Sequence, residues 1–159
     1  MMLSVLALLG WISIAPPCET GFCSCVGPRD VPGALASAEA VFTGTVVAVR
    51  DTTIGTRAEY GPFPRRKVTL RVDRAWKGVA SETVVVLTGQ GGGDCGFPFE
   101  RGESYLVYAD GTPGEPMSTG ICGRTAPLSR AAADVRALGE PSRRWPHRSR
   151  WFRWFRRGA

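Results

Sequence analysis

Lys67 to Trp76 reads KVTLRVDRAW, and its alternation decides the fold class. Val68, Leu70 and Val72 point one way while Thr69, Arg71 and Asp73 point the other, the period-two pattern of a strand with one buried and one wet face. Trp76-Lys77-Gly78 ends it in a turn. Upstream, Ala40 to Arg50 (AVFTGTVVAVR) reads as a long first strand, with Phe42, Val46 and Ala48 on one face and Val41, Thr43, Thr45, Val47 and Val49 on the other. Gly44 marks a bulge or bend in it. Between the two, Thr52 to Arg66 holds Gly55, Gly61, Pro62 and Pro64 and reads as a long exposed loop. Downstream, Glu82 to Thr88 (ETVVVLT) and Glu103 to Ala109 (ESYLVYA) supply a third and a fourth strand, the latter with Tyr105, Val107 and Ala109 opposing Leu106 and Tyr108. A short fifth is expected at Met117 to Cys122.

Outside the strands, Val31 to Ala38 reads as a turn or short helix. Leu128, Ala131, Val135 and Leu138 recur at helical spacing as one apolar stripe, stopped by Gly139 and Pro141. The chain has 159 residues, with Gly 20 and Pro 12, which suits one small domain of short strands and many turns. All-β with a packed C-terminal helix is the expected class.

The ends differ from the middle. Leu3 to Ala15 (LSVLALLGWISIA) is too short to cross a bilayer, which takes roughly twenty residues, and suits the apolar region of a secretory signal instead. Ser13-Ile14-Ala15 is an acceptable cleavage site, followed by Pro16, and a buried N-terminal strand is the alternative. The expected organisation is a leader over 1–22, a domain over 23–139 and a basic tail over 140–159. Of 20 Lys and Arg, seven arginines fall in the last stretch from Arg143, so the rest of the chain carries 13 basic against 14 acidic groups and is balanced. On a helix, Trp151, Phe152, Trp154 and Phe155 would share one arc and Arg150, Arg153, Arg156 and Arg157 the other. That segregation fits peripheral contact with an anionic membrane or envelope polymer, and a solvated arginine run is its alternative.

Five cysteines stand at 18, 23, 25, 95 and 122. Export makes disulfides the expected fate of four of them, and four thiols allow three pairings. A zinc site built from Cys23, Cys25, Cys95 and Cys122 is a weaker reading, because structural zinc sites favour C-x-x-C pairs.

Cys23-Ser24-Cys25, then Cys95-Gly96-Phe97, Tyr105-Leu106-Val107, Cys122 and Ala126-Pro127-Leu128-Ser129 form a layout that resembles the N-terminal domain of the tissue inhibitors of metalloproteinases. The resemblance covers roughly Cys23 to Leu138. It implies a five-stranded, netrin-like OB barrel of Greek-key topology, and bridges Cys23 to Cys95 and Cys25 to Cys122. It also implies that Cys23, Ser24, Cys25, Val26 and Gly27, with the neighbouring Asp94 and Cys95, form a rigid inhibitory ridge. In this reading Cys23 is a metal ligand in trans: its α-amine and carbonyl fill the open position of a zinc metalloendopeptidase's catalytic ion. An α-amine with a pKa of about 7.7 to 8.0 is partly unprotonated near neutrality, and metal binding draws off the remaining proton. Ser24 would point into the pocket beside the metal. Chelation requires Cys23 to open the mature chain. Cleavage after Ala15 would leave Pro16 to Phe22 attached, and the chain would then be a non-inhibitory, secreted, netrin-like binding module held to the envelope by its tail.

No enzyme is expected. The only histidine, His147, lies in the arginine-rich segment, and no HExxH, Walker or GxGxxG signature is present. Gly89 to Gly93 lacks the lysine and following helix of a phosphate cradle. No cofactor is implied. OB barrels also bind oligonucleotides, but the balanced body argues against nucleic acid. A secreted or envelope-associated monomer is the expected state.

Overall fold

A computed structural model describes residues 23–25, 30–57, 61–111 and 116–146. In chain order the elements are α1 (Val31–Ser37), β1 (Ala40–Arg57), β2 (Gly61–Lys77), β3 (Thr83–Thr88), β4 (Ser104–Ala109), β5 (Ala126–Pro127), α2 (Ala132–Leu138) and β6 (Arg143–Arg144). Single 3-10 turns lie at Gly92–Asp94 and Leu128–Arg130. The strands form one antiparallel sheet in the order β3-β2-β1-β4-β5, with β6 added to β2. The protein is therefore all-β with two short helices.

The inner face carries the main core: Phe42 and Val46 of β1, Val68, Leu70 and Val72 of β2, Val84 and Val86 of β3, and Tyr105 and Val107 of β4. Phe99 packs edge-on against Tyr105 at 4.9 Å between ring centres and closes one end of this core. A second cluster lies on the opposite face, where Val41, Leu106 and Tyr108 are covered by Ala34 and Ala38 at α1 and by Ala131, Val135 and Leu138 at α2. Both faces of the sheet are thus buried at the β4 end. This explains why ESYLVYA is apolar at every position after Ser104 rather than alternating.

Gly44 is required by this packing. A Cβ there would lie 2.7 Å from the carbonyl oxygen of Arg71, at the point where the register between β1 and β2 shifts. A second register shift falls between Val46 and Ala48, so Val47 is the extra residue. It reverses the alternation expected for the first strand: Val49 packs against the core, and Ala48 turns to the outer face opposite Thr69.

Four expectations change. Thr52 to Arg66 is not a loop but the outer part of a β1–β2 ribbon, with Thr52 opposite Arg65, Thr53 opposite Pro64 and Ile54 opposite Phe63. Pro62 and Pro64 are tolerated because this end of β2 has no strand on its other side beyond Arg66. The expected fifth strand at Met117 to Cys122 makes only isolated bridges, from Ser118 to Leu87 and to Asp110 and from Gly120 to Gly96. The sheet is consequently not closed into a barrel by a ladder. Instead β3 and the residue after β4 are linked through Met117–Thr119, whose backbone bonds Leu87 on one side and Asp110 on the other.

The expected single helix from Leu128 is split into a 3-10 turn and α2, with Ala131 between them at φ −96°, ψ 11°. Finally, residues assigned by sequence to the basic tail return to the sheet. Arg143 and Arg144 pair with Ala75 and Arg74, the Trp145 amide donates to the Asp73 carbonyl at 2.9 Å, and Trp145 packs on the main core.

Candidate functional site

The two cysteines that open the described chain are tied to two separate loops. Cys23 is bridged to Cys95 with Cα atoms 5.3 Å apart, and Cys25 to Cys122 at 5.1 Å. The bridges lie against each other, with the Cys23 and Cys122 sulfurs 3.6 Å apart. The sulfurs of Cys23, Cys95 and Cys122 all fall within 4.8 Å of one another. Tied up in disulfides, these sulfurs are not the thiolates a resident zinc would need. Two disulfides are also the chemistry of an oxidising compartment.

Both receiving loops are rigid for identifiable reasons. Cys95 sits in a left-handed conformation at φ 58°, after the Gly92–Asp94 turn. The Asp94 carboxylate organises that turn by accepting backbone N–H groups from Gln90 at 2.6 Å, Gly91 at 2.9 Å and Gly96 at 3.1 Å, with Arg65 3.7 Å away. Desolvation alone would raise the Asp94 carboxyl, but the three N–H donors and Arg65 outweigh it and hold the group below its ordinary range. Gly96 cannot be replaced without a shift, because a Cβ would lie 2.4 Å from the Gly89 carbonyl. The glycine-rich run is thus a turn wound round an aspartate rather than a slack linker.

The Cys122 loop is anchored by two buried threonines. Thr119 and Thr125 share a hydroxyl contact at 2.8 Å, Thr125 accepts from the Tyr108 amide at 3.0 Å, and Thr119 donates to the Tyr108 carbonyl at 2.9 Å. Arg124 then reaches α2 in a two-point ion pair with Asp134, Nε to Oδ2 at 2.8 Å and Nη2 to Oδ1 at 2.7 Å. Tyr108 lies beside this pair, and burial, with the Asp134 carboxylate adding, pushes its phenol up to about 12. The Ile121 amide donates to the Cys95 carbonyl at 2.9 Å, so the two bridged loops also hold each other.

Of the residues expected at the ridge, the structure brings together Cys23, Ser24, Cys25, Asp94 and Cys95. Val26 and Gly27 lie outside the described residues, as do the leader with Cys18 and the tail residues Arg150, Trp151, Arg153, Trp154, Arg156 and Arg157. Two clefts flank the ridge. One, of about 700 Å³, is lined by Ser24 and Cys25, by Ala34 and Ala38 near α1, and by Asp110 and Arg124. The other, of about 500 Å³, runs between the β1–β2 ribbon and the bridged loops and is lined by Ile54, Arg65, Leu87, Asp94, Cys95 and Gly120.

Sequence reading missed the ribbon's part in this site. Among described residues the exposed large apolar side chains are Val47, Ile54, Phe63, Val85 and Ile121. Two of these border the ridge: Ile54, the cross-strand partner of Phe63, lines the second cleft, and Ile121 precedes Cys122. The β-branched run Thr52-Thr53-Ile54 was the available signal, obscured by the prolines of the opposing strand. A scan against protein-family models and a search of curated proteins return no match for this chain. Among the described residues no helix is long and apolar enough to cross a membrane.

Proposed function

We propose that this chain is an exported netrin-like protein of the tissue-inhibitor type, built on an open OB-like sheet, whose ridge from Cys23 to Gly27 enters the cleft of a zinc metalloendopeptidase and caps its metal. One observation carries the reading. The Cys23-Ser24-Cys25 backbone is held at both cysteines on two separately rigidified loops, with exposed Ile54 and Ile121 beside it. A prestiffened edge lowers the ordering cost of docking. Exposed apolar residues gathered at one place, rimmed by Arg65 and Asp94, are the usual composition of a protein-binding surface.

Capping works through Cys23. Its amine and carbonyl occupy the coordination position that water holds in the free protease, and Ser24, exposed and small, enters the adjoining pocket. The amine must be the chain terminus, because an acylated nitrogen neither binds a metal well nor leaves room in the cleft.

The test compares three products: the exported form with its N-terminus sequenced, a form made to begin at Cys23, and the same form with one alanine ahead of Cys23. The form beginning at Cys23 should inhibit members of a zinc-endopeptidase panel, increasingly so from pH 6 to 8 as the amine loses its proton, and the added alanine should abolish inhibition. Absence of inhibition by the form beginning at Cys23 would reject zinc capping and leave a netrin-like module that binds a partner through the same edge.

A further inference from the structure

Buried polar groups are nearly always paired, so each exception calls for an explanation. Among the described residues two buried side-chain oxygens have no hydrogen-bond partner, those of Thr43 and Tyr108. Thr43 borders neither cleft described above. Tyr108 does: with Ser24, Ala34, Ala38, Asp110 and Arg124 it lines the cavity of about 700 Å³ between α1 and the Cys122 loop. Only 4% of Tyr108 is exposed. Arg124 lies beside the phenol and lines the same cavity, so the hydroxyl end of the ring is the part that borders the space.

The phenol proton has no acceptor. Arg124 carries only N–H donors and is already forked onto Asp134 at 2.8 and 2.7 Å. Burial, with the Asp134 carboxylate adding, pushes the phenol up to about 12, so it stays a donor throughout the neutral range. Asp110 follows two positions later on the same face, about 6.6 Å along the extended chain. Its backbone is fixed by bonds to Ser118 in both directions, while its exposed side chain takes part in no ion pair among the described residues. Since Asp134 neutralises Arg124, the one uncompensated charge on the described cavity wall is the negative charge of Asp110. Ala34 and Ala38, one helical turn apart, add methyl groups on the α1 side.

We infer that this cavity binds the amino end of a peptide, with the ammonium at Asp110, an amide carbonyl accepting from Tyr108, and small side chains against Ala34 and Ala38. Other ligand classes leave a group unserved. An anion is repelled by Asp110, and a wholly apolar molecule would strip water from Asp110 and still leave the phenol proton unmatched. A bare cation satisfies Asp110 but offers Tyr108 no acceptor. The amino end of a peptide carries both a cationic donor and a carbonyl acceptor a few bonds apart. A volume of about 700 Å³ lies in the ordinary range for sites that enclose a small ligand. The site uses neither the amine nor the carbonyl of Cys23, so it stands whether or not zinc capping does.

The test is an NMR titration of the exported chain with the dipeptide amide Ala-Ala-NH2, following the backbone amides of Tyr108 and Asp110. Both should shift saturably with a Kd of about 1 mM, ordinary for so small a ligand. The N-acetylated dipeptide amide, which lacks the ammonium, and the Asp110→Asn variant should each weaken binding about tenfold, and Tyr108→Phe about fivefold. Tyr108→Phe should melt no lower than the parent, because a hydroxyl with no partner adds nothing to the fold. Equal binding of a longer peptide opening with the same two residues assigns the site to a chain end, and its exclusion assigns the site to free short peptides. Absence of saturable shifts, equal binding of the acetylated dipeptide, or undiminished binding by Tyr108→Phe overturns the inference. So does a fall of several degrees in the Tm of Tyr108→Phe, because the hydroxyl would then be satisfied inside the protein.

Discussion

Removing either disulfide should cost nearly the same stability, although the bridges span 72 and 97 residues in sequence. Taken alone, the chain-entropy relation assigns loops of that size about 4.4 and 4.7 kcal/mol at 25 °C. The two are not independent, because Cys23 and Cys25 are neighbours. With one bridge closed, the other closes only the path from Cys95 to Cys122 plus the short Cys23–Cys25 link, a loop of roughly 30 residues worth about 3.6 kcal/mol. Each double-alanine variant, C23A/C95A or C25A/C122A, should therefore lose about 3.6 kcal/mol, and the quadruple variant about 8. For a domain of roughly 120 residues unfolding with about 2.1 cal/mol/K per residue, 3.6 kcal/mol is a drop of about 14 °C in Tm. Calorimetry of the two double variants is the assay. A difference between them above about 2 kcal/mol would refute the shared loop. A drop below about 3 °C in both would show that the bridges do not set the stability of the ridge.

Three further outcomes follow from the packing. Truncation after Pro146 should leave Tm within about 2 °C of the full chain. Truncation after Pro141 removes the Ser142 bond to the Ala75 carbonyl, β6 and the Trp145 contact with the core, and should cost about 2–4 kcal/mol; equal melting of the two products would refute the sheet role of 142–145. Gly44→Ala forces a Cβ onto the Arg71 carbonyl and should destabilise by about 2 kcal/mol in urea unfolding, so a neutral result would mean the β1–β2 register can slip. The Asp94 carboxyl is held below its unfolded value, so its contribution is present above the ordinary carboxylate range near pH 4 and is lost as pH falls through the folded value. Amide exchange at Gln90, Gly91 and Gly96 should accelerate over that acid window, and D94N should abolish the pH dependence; identical profiles would contradict the capped-aspartate turn.

How much of the site was legible follows from which signals are local. The alternation of KVTLRVDRAW placed β2 and its buried face, because a strand's side-chain period needs no knowledge of its neighbours. For β1 the same reasoning held as far as Val46 and then failed, since the extra residue at Val47 is defined only against its partner strand. Pro62 and Pro64 read as loop because proline removes a ladder donor, yet they lie where β2 has a partner on one side only. The basic segment was read by composition as detached, whereas Arg143 to Trp145 join the sheet through backbone bonds and the burial of one tryptophan.

By itself the sequence determined the class of this protein, strands with one apolar face, short helices, and cysteines placed to staple the start of the chain. Those properties follow from side-chain periodicity and chemistry within a few residues. The tertiary structure alone decided that the sheet stays open and that the ribbon brings Ile54 beside Cys95. Each of these depends on register between segments far apart in the chain, where a shift of one residue exchanges the two faces.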